Sequence, residues 1–213
     1  MKIVDMHLYL YDERFNTPII TPKIKLETRK ALFVALVTDN NSYYYGECNA
    51  FETDWYANET IDDAQIQVKD WFESIKNIAF YTFDEMLCSL NHLTKYPATR
   101  SMIVMACYQM FFKLTDFSVA YGATISGLAE ENILQLTQTQ PQRVKLKWSD
   151  SILNDIKKIK QLPFKPDIVI DANESITDSE IAKLTTIGYD QLLYIEEPFK
   201  SLSVINQFDA YEL

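Results

Sequence analysis

Three short apolar segments in the second half of the chain end in charged residues at almost constant spacing. The segments are Val144–Trp148, Val169–Asn173 and Tyr194–Pro198. From Lys145 to Asp171 is 26 residues, and from Asp171 to Glu196 is 25. One strand every 25 residues or so is typical of a repeated β/α unit, which builds a parallel sheet. The carboxyl ends of such strands meet at one rim, so the spacing predicts that these charges lie together there.

The residue types at this rim predict a particular chemistry. Side chains two positions apart on a strand point the same way, so Lys145 should project with Lys147, and Asp171 with Asn173. Carboxylates at such a rim suit a hard divalent ion, Mg²⁺ above all, with a lysine nearby as base. A second lysine and a dication should lower the pKa of that base from its ordinary value of about 10.4. The pattern therefore favours removal of a proton from a carbon beside a carboxylate.

Each motif also has a simpler interpretation. K-x-K is common as solvated charge on a strand, D-A-N as a turn or helix cap, and E-E-P as an exposed strand end. If all three simpler interpretations were right, the motifs would stand in this order and at the β/α spacing only by chance. The regular spacing therefore favours one shared site.

Composition excludes several other classes of function. The 213 residues are 47% apolar and carry a net charge of −10, which argues against nucleic-acid and anionic-membrane partners. The start lacks a signal-like apolar region, and no segment resembles a membrane span. Three widely spaced cysteines indicate reduced, mostly buried thiols and a cytoplasmic protein. The presence of only two histidines argues against a histidine triad or a multi-histidine zinc site.

The first half of the chain has a different organisation. Strands are predicted before residue 48 and helices after residue 60, an α+β pattern that gives domains at 1–117 and 118–213. Loops are predicted at 16–23 and 49–58, and one helix is predicted over 82–93. The helix at about 98–114 is apolar almost all round, which predicts burial between layers. Thr60 with Asp63, and Thr177 with Glu180, are predicted helix starts.

Aromatic residues are concentrated in the second of these loops. Phe51, Trp55 and Tyr56 all fall within 49–58. Packing within the loop and a lid over a substrate are equally good interpretations of this group.

These motifs together resemble the enolase superfamily in its muconate-lactonizing-enzyme subgroup. K-x-K, D-x-N and E-x-P stand on successive strands, as in that subgroup. Gly46–Cys48 and Trp55–Thr60 are similar to segments of its capping domain, most of all in the o-succinylbenzoate synthases that are related to N-succinylamino acid racemases. The resemblance implies an α/β fold with an α+β capping domain, followed by the first part of a (β/α) TIM-type barrel.

The resemblance also implies residue roles. Lys147 would be the acid/base, with Lys145 as its catalytic partner. Asp171 and Glu196 would be ligands of Mg²⁺, with Mn²⁺ as an alternative metal, and Asn173 would stand behind the ligands. A lysine base with Mg²⁺ is a known arrangement in this superfamily.

The implied reaction is a lyase step in menaquinone biosynthesis. It is the dehydration of 2-succinyl-6-hydroxy-2,4-cyclohexadiene-1-carboxylate, so the partner is a small carboxylate substrate, and homo-oligomerisation is left open. N-acylamino acid racemase or dipeptide epimerase activity is the alternative within the superfamily. A non-catalytic half-barrel binding protein is the alternative outside it.

The chain departs from the family pattern at its C-terminal end. The family has a third carboxylate ligand on a fifth strand and a second lysine on a sixth, whereas residues 119–213 supply about four of eight β/α units. We therefore expect a C-terminally truncated chain that is inactive alone. An unpaired strand edge and a half-open apolar interior would also make it prone to associate.

Overall fold

The computed structural model describes residues 1–20, 24–125 and 127–205. It forms two compact units, Met1–Asp116 and Phe117–Leu213. Each unit has a hydrophobic core of its own, so each is described separately.

The first unit is an antiparallel sheet with helices on one face. Its strands are β1 Ile3–Ile20, β2 Lys25–Thr38 and β3 Tyr43–Cys48, in the order β1-β2-β3. Its helices are α1 Ile61–Ile75, α2 Phe83–Cys88 and α3 Pro97–Phe111. Alternate residues of β2, including Leu32, Val34 and Leu36, are buried beneath the helices. Helix α1 starts with the predicted Thr60–Asp63 capping box.

The predicted loop at 16–23 is wrong for residues 16–20, and residues 21–23 lie outside the described ranges. Strand β1 continues to Ile20, which pairs with Lys25. The pairing is irregular between Arg14 and Ile19, where Pro18 falls. Proline lacks an N–H donor and is tolerated at such irregular positions of an edge strand.

The helix predicted over 82–93 is interrupted. Helix α2 ends at Cys88, and a short 3₁₀ turn follows at Asn91–Leu93. The Ser89 hydroxyl donates to the Met86 carbonyl and accepts a hydrogen bond from Trp71 Nε1. Such a side-chain bond to the backbone competes with continuation of the helix.

Helix α3 packs very closely on β3 at Gly46. A Cβ atom at this position would lie 1.9 Å from the Met102 carbonyl oxygen. The G-E-C motif therefore has a steric reason, because only glycine permits this contact. The opposite side of α3 is exposed at Met105 and Tyr108, so the predicted burial of this helix between layers is wrong for that face.

Glu59 connects the start of α1 to the start of α3. Its side chain is buried and accepts hydrogen bonds from Ala98 N at 2.7 Å, Thr99 N at 2.8 Å and Thr99 Oγ1 at 2.6 Å. The first N–H groups of a helix lack intrahelical acceptors, and the helix dipole favours a negative charge there. The glutamate of the W-Y-A-N-E-T segment therefore anchors the end of the 49–58 loop.

The second unit is a parallel sheet with helices on one face. Its strands are β4 Gly122–Ile125, β5 Arg143–Lys147, β6 Asp167–Asp171 and β7 Tyr194–Glu196, in sequential order. The helices are α4 Glu130–Thr139, α5 Ile152–Lys160, α6 Ile181–Ile187 and α7 Leu202–Ile205. Val144 and Leu146 of β5, with Ile168 and Ile170 of β6, pack in one core with α5.

The other face of this sheet is mainly charged. Alternation along each strand places there six charged residues, Arg143, Lys145, Lys147, Asp167, Asp171 and Glu196, together with Tyr194 and the fully buried Val169. In the described strands, the expectation of an apolar interior therefore holds at Val169 and is wrong at the six charged positions.

Membrane spans were also expected to be missing. Within the described ranges, no helix combines the length and the apolar character needed to cross a bilayer.

We predict that Glu59→Ala lowers the free energy of unfolding by about 3 kcal/mol, because it leaves buried donors at the start of α3 without an acceptor. Glu59→Gln, which keeps one acceptor oxygen, should have an intermediate effect. Urea unfolding followed by circular dichroism measures both changes. Glu73→Ala is the matched control, since this exposed glutamate of α1 contributes only a weak ion pair at 3.9 Å. Equal stability of the Glu59 and Glu73 alanine variants would contradict the anchoring role.

Candidate functional site

The parallel register aligns three of the predicted site residues. Lys147 of β5 is the Cα partner of Asp171 of β6, and Asp171 is the partner of Glu196 of β7. Each is the last residue of its strand. Because the three strands end at the same level of the sheet, these side chains lie in one row at the rim.

Lys145 joins this row from below. Its Nζ lies 2.8 Å from Glu196 Oε2 and 3.3 Å from Asp171 Oδ2. The Cα partner of Lys145 on β6 is Val169, which lies two residues before Asp171 on the same face of the sheet. The Lys145 side chain must therefore cross β6 to reach β7. The Asp171 side chain is only 16% exposed, which limits screening of this contact by water.

The charge on Lys145 is stabilised by these contacts. Partial burial alone would lower its pKa, but hydrogen bonds and attraction to Glu196 and Asp171 raise the pKa above its ordinary value. The ammonium group is a counter-ion between two carboxylates.

Asn173 contacts Asp171 as predicted, but it does so from outside the strand. Strand β6 ends at Asp171, and Asn173 lies beyond it with a left-handed φ of 47°. Its Nδ2 still donates a 2.6 Å hydrogen bond to Asp171 Oδ1. Both Asp171 oxygens therefore have partners.

The backbone beyond the rim is strained. Glu174 and Glu197 also have left-handed φ values, of 60° and 44°, and Glu174 N donates to the Glu197 carbonyl at 2.6 Å. Non-glycine residues rarely adopt this conformation, and such strain is often concentrated at functional sites. The sequence gives only a weak signal for it, in the asparagine of D-A-N and the doubled glutamate before Pro198.

The donor set at this rim fits a divalent cation in part. In the described portion of the chain, no group of three Asp, Glu, His or Cys residues is arranged to hold a metal ion. Asp171 and Glu196 nevertheless supply carboxylate oxygens on adjacent strands. Mg²⁺ is often held by one or two carboxylates, with water and substrate oxygens completing its coordination.

Trp148 and Glu180 support the rim from the helix side, a link that sequence reasoning missed. Trp148 N donates to the Asp171 carbonyl at 2.8 Å, and its Nε1 donates to Glu180 Oε1 at 3.2 Å. Glu180 also accepts from Thr177 N and Thr177 Oγ1, as the T-x-x-E motif predicted. The capping box therefore also orients the residue next to Lys147.

The three predicted lid residues form one aromatic cluster in the first unit. The ring centroids of Phe51 and Trp55 are 5.0 Å apart, and those of Trp55 and Tyr56 are 5.4 Å apart. Tyr56 is 75% exposed. Loop packing is therefore present, and a lid role remains a prediction.

A cavity of about 210 Å³ lies beside this cluster, lined by Arg29, Phe51 and Trp55 among others. Arg29 Cζ lies 4.9 Å above the Phe51 ring. Arg29 Nε and Trp55 Nε1 are buried without a hydrogen-bond partner in the described part of the chain. Buried donors without an acceptor are costly. Sequence reasoning missed Arg29, for which no motif gives a signal.

Comparison with known proteins identifies the fold. No family model matches the chain. It is 24% identical to the o-succinylbenzoate synthase of Bacillus subtilis (strain 168), over 97% of this chain and 60% of that protein. An enolase-superfamily protein from Listeria innocua Clip11262 superposes with a TM-score of 0.76 at 20% identity, over 93% of this chain and 58% of its own. The chain has the enolase-superfamily fold.

A dipeptide epimerase from Methylococcus capsulatus, complexed with Mg and the dipeptide L-Arg-D-Lys, is another similar structure. Its TM-score is 0.74 at 17% identity, over 93% of this chain and 62% of its own. The predicted enolase-like architecture, a cap followed by the first part of a (β/α) barrel, is thus confirmed. This enolase-like chain spans about 60% of the length of the curated relative that it matches.

We predict that Glu180 contributes stability that depends on pH. Its hydrogen bonds with Thr177, and then with Trp148, lower its pKa from 4.5. A lowered pKa means that the contribution is complete above the ordinary value and is lost as the pH falls through the lowered value. The difference in unfolding free energy between the unmodified chain and Glu180→Gln should be constant above about pH 5 and shrink towards pH 3.

Urea unfolding at several pH values tests this dependence. Glu131→Gln, which changes an exposed carboxylate of α4 in the same unit, is the matched control. A Glu180→Gln difference that stays constant from pH 7 to pH 3 would contradict the role of Glu180.

Proposed function

We propose that this chain carries the first catalytic strands of an enzyme that removes a proton from the carbon beside a carboxylate. The observation that carries the proposal is the row of Lys147, Asp171 and Glu196 at equal register on three parallel strands. A base and two metal-type carboxylates in one row are the groups that this chemistry needs. The alignment with an o-succinylbenzoate synthase over 97% of the chain supports dehydration as the specific reaction.

In this proposal Lys147 is the acid/base. It takes the proton from the carbon that bears the ring carboxylate, and the C–H electrons form the new C=C bond as the C–O bond of the hydroxyl breaks. A syn dehydration has both groups on one face, so the same lysine can return the proton to the departing oxygen and release water. Bound Mg²⁺ would stabilise the negative charge that develops on the substrate carboxylate.

Lys145, Asn173 and the metal ligands have positioning roles. Asp171 and Glu196 would hold Mg²⁺, with Mn²⁺ as an alternative ion of similar ligand preference. The Asn173 amide keeps one Asp171 oxygen oriented through its 2.6 Å hydrogen bond. Lys145 would face the substrate carboxylate once the metal ligands are occupied.

The cluster of Phe51, Trp55 and Tyr56 is proposed to close over the substrate. Its rings give an apolar surface, and the adjacent cavity is lined by Arg29, which supplies a cation, and by Trp55. This combination suits a short acid with an apolar stem, such as a succinyl group. It also suits the acidic side chain of an N-acylamino acid or dipeptide.

Racemisation or epimerisation is therefore a specific second candidate. The superposition on a dipeptide epimerase supports it at the level of the fold. It would use the same proton abstraction without loss of water, and so the two candidates differ in their products. A non-catalytic half-barrel remains the alternative from a different class.

The test incubates the protein with three kinds of substrate in D₂O. These are the cyclohexadiene carboxylate, N-succinyl amino acids and dipeptides. The dehydratase proposal is supported if the cyclohexadiene carboxylate is converted to an aromatic product faster than deuterium is incorporated into the N-succinyl amino acids or dipeptides. Faster deuterium incorporation into amino acids or dipeptides would favour the second candidate.

We predict that Lys147→Ala lowers the rate of proton abstraction by at least about 100-fold, because a positioned general base is removed. The measurement is the initial rate of dehydration or deuterium incorporation, with circular dichroism as the check on folding. Lys157→Ala, which changes an exposed lysine of α5, is the matched control and should keep full activity. An unchanged rate in Lys147→Ala would remove the enzyme proposal and leave the binding alternative.

A further inference from the structure

Lys145 occupies the position between the two carboxylates that a metal ion would need. Its Nζ contacts Asp171 Oδ2 and Glu196 Oε2, at 3.3 and 2.8 Å. These oxygens are on adjacent strands, and the remaining Asp171 oxygen is engaged by Asn173. The Lys145 ammonium group and a metal ion cannot both lie between these oxygens.

The same contact has a structural role in the absence of metal. Asp171 and Glu196 are direct neighbours across β6 and β7, so their charges repel one another. The single positive charge of Lys145 offsets this repulsion where the Asp171 side chain is mostly shielded from water. The rim is thereby held together before any metal binds.

We propose that Lys145 is an internal counter-ion that competes with the divalent metal for Asp171 and Glu196. Metal binding would release its ammonium group from the carboxylates and make it available to an anionic substrate. The metal-free chain would keep an ordered rim, but its metal affinity would be lower because the lysine must first be displaced. This inference rests on the proposed metal-dependent function and adds an exchange step to it.

The proposal can be tested without any enzyme assay. Binding of Mn²⁺ is measured by electron paramagnetic resonance, and binding of Mg²⁺ by calorimetry, on the full chain and on Lys145→Met. We expect Lys145→Met to bind either ion about tenfold more tightly, with the gain falling as ionic strength rises. Without metal, the same variant should unfold at a lower temperature, and added metal should restore more stability to it than to the unmodified chain.

Lys183→Met is the matched control, since Lys183 also bridges two carboxylates, Asp150 at 2.9 Å and Glu180 at 3.5 Å, in the same unit. It should leave metal affinity unchanged. Lys145→Gln, which keeps a polar side chain, is the second variant if the methionine variant does not fold.

The outcomes separate this inference from the proposed function. If the unmodified chain binds metal and neither Lys145 variant binds it more tightly, the counter-ion role is wrong while the metal site stands. If no variant binds either ion, both proposals fail. Tighter binding by the Lys145 variants alone supports the competition.

Discussion

Parallel pairing in equal register is the constraint on which the rim depends. Lys147, Asp171 and Glu196 are Cα partners because β5, β6 and β7 end at the same level. A slip of one residue on any strand would turn its charged side chain towards the core of Leu146 and Ile170. Packing of the buried face thus determines the strand register, and the register determines which side chains lie together at the site.

Charge balance is the second requirement of this arrangement. Two carboxylates on adjacent strands repel, and the ammonium group of Lys145, which contacts both, offsets that repulsion. Lys145 lies two residues before Lys147 on the same face of β5. Its long side chain can therefore reach both carboxylates although its Cα is not level with theirs. A counter-ion in this position can be exchanged without moving a strand, because only its flexible side chain must withdraw.

The fold class and the row of rim residues could be predicted from sequence because they depend on periodicity. The 25-residue repeat gave the strand ends, and the T-x-x-D and T-x-x-E motifs gave two helix starts. Contacts between residues distant in sequence could not be predicted in this way. Glu59 meets Thr99 across 40 positions, and Arg29 lines a cavity with Trp55, and neither pair has a local signature. The left-handed Asn173 was missed because alternation was extended past the end of β6.

The charged face of the parallel sheet is unusual for a sheet of this kind. Parallel sheets are usually covered on both faces by apolar residues. Here β5 contributes only cations to the open face, whereas β6 and β7 contribute the acids. At the amino-terminal end of the strands, Arg143 donates to the Tyr194 hydroxyl at 3.2 Å and its guanidinium lies 5.6 Å from the Tyr194 ring centroid. At the rim, Lys145 closes the opposite end of the same face. Polar groups that satisfy one another in this way can remain in contact with water, and further strands would have to bury paired charges to cover them. At the rim, Asp171 and Glu196 are thus paired within the sheet itself, by the ammonium group of Lys145.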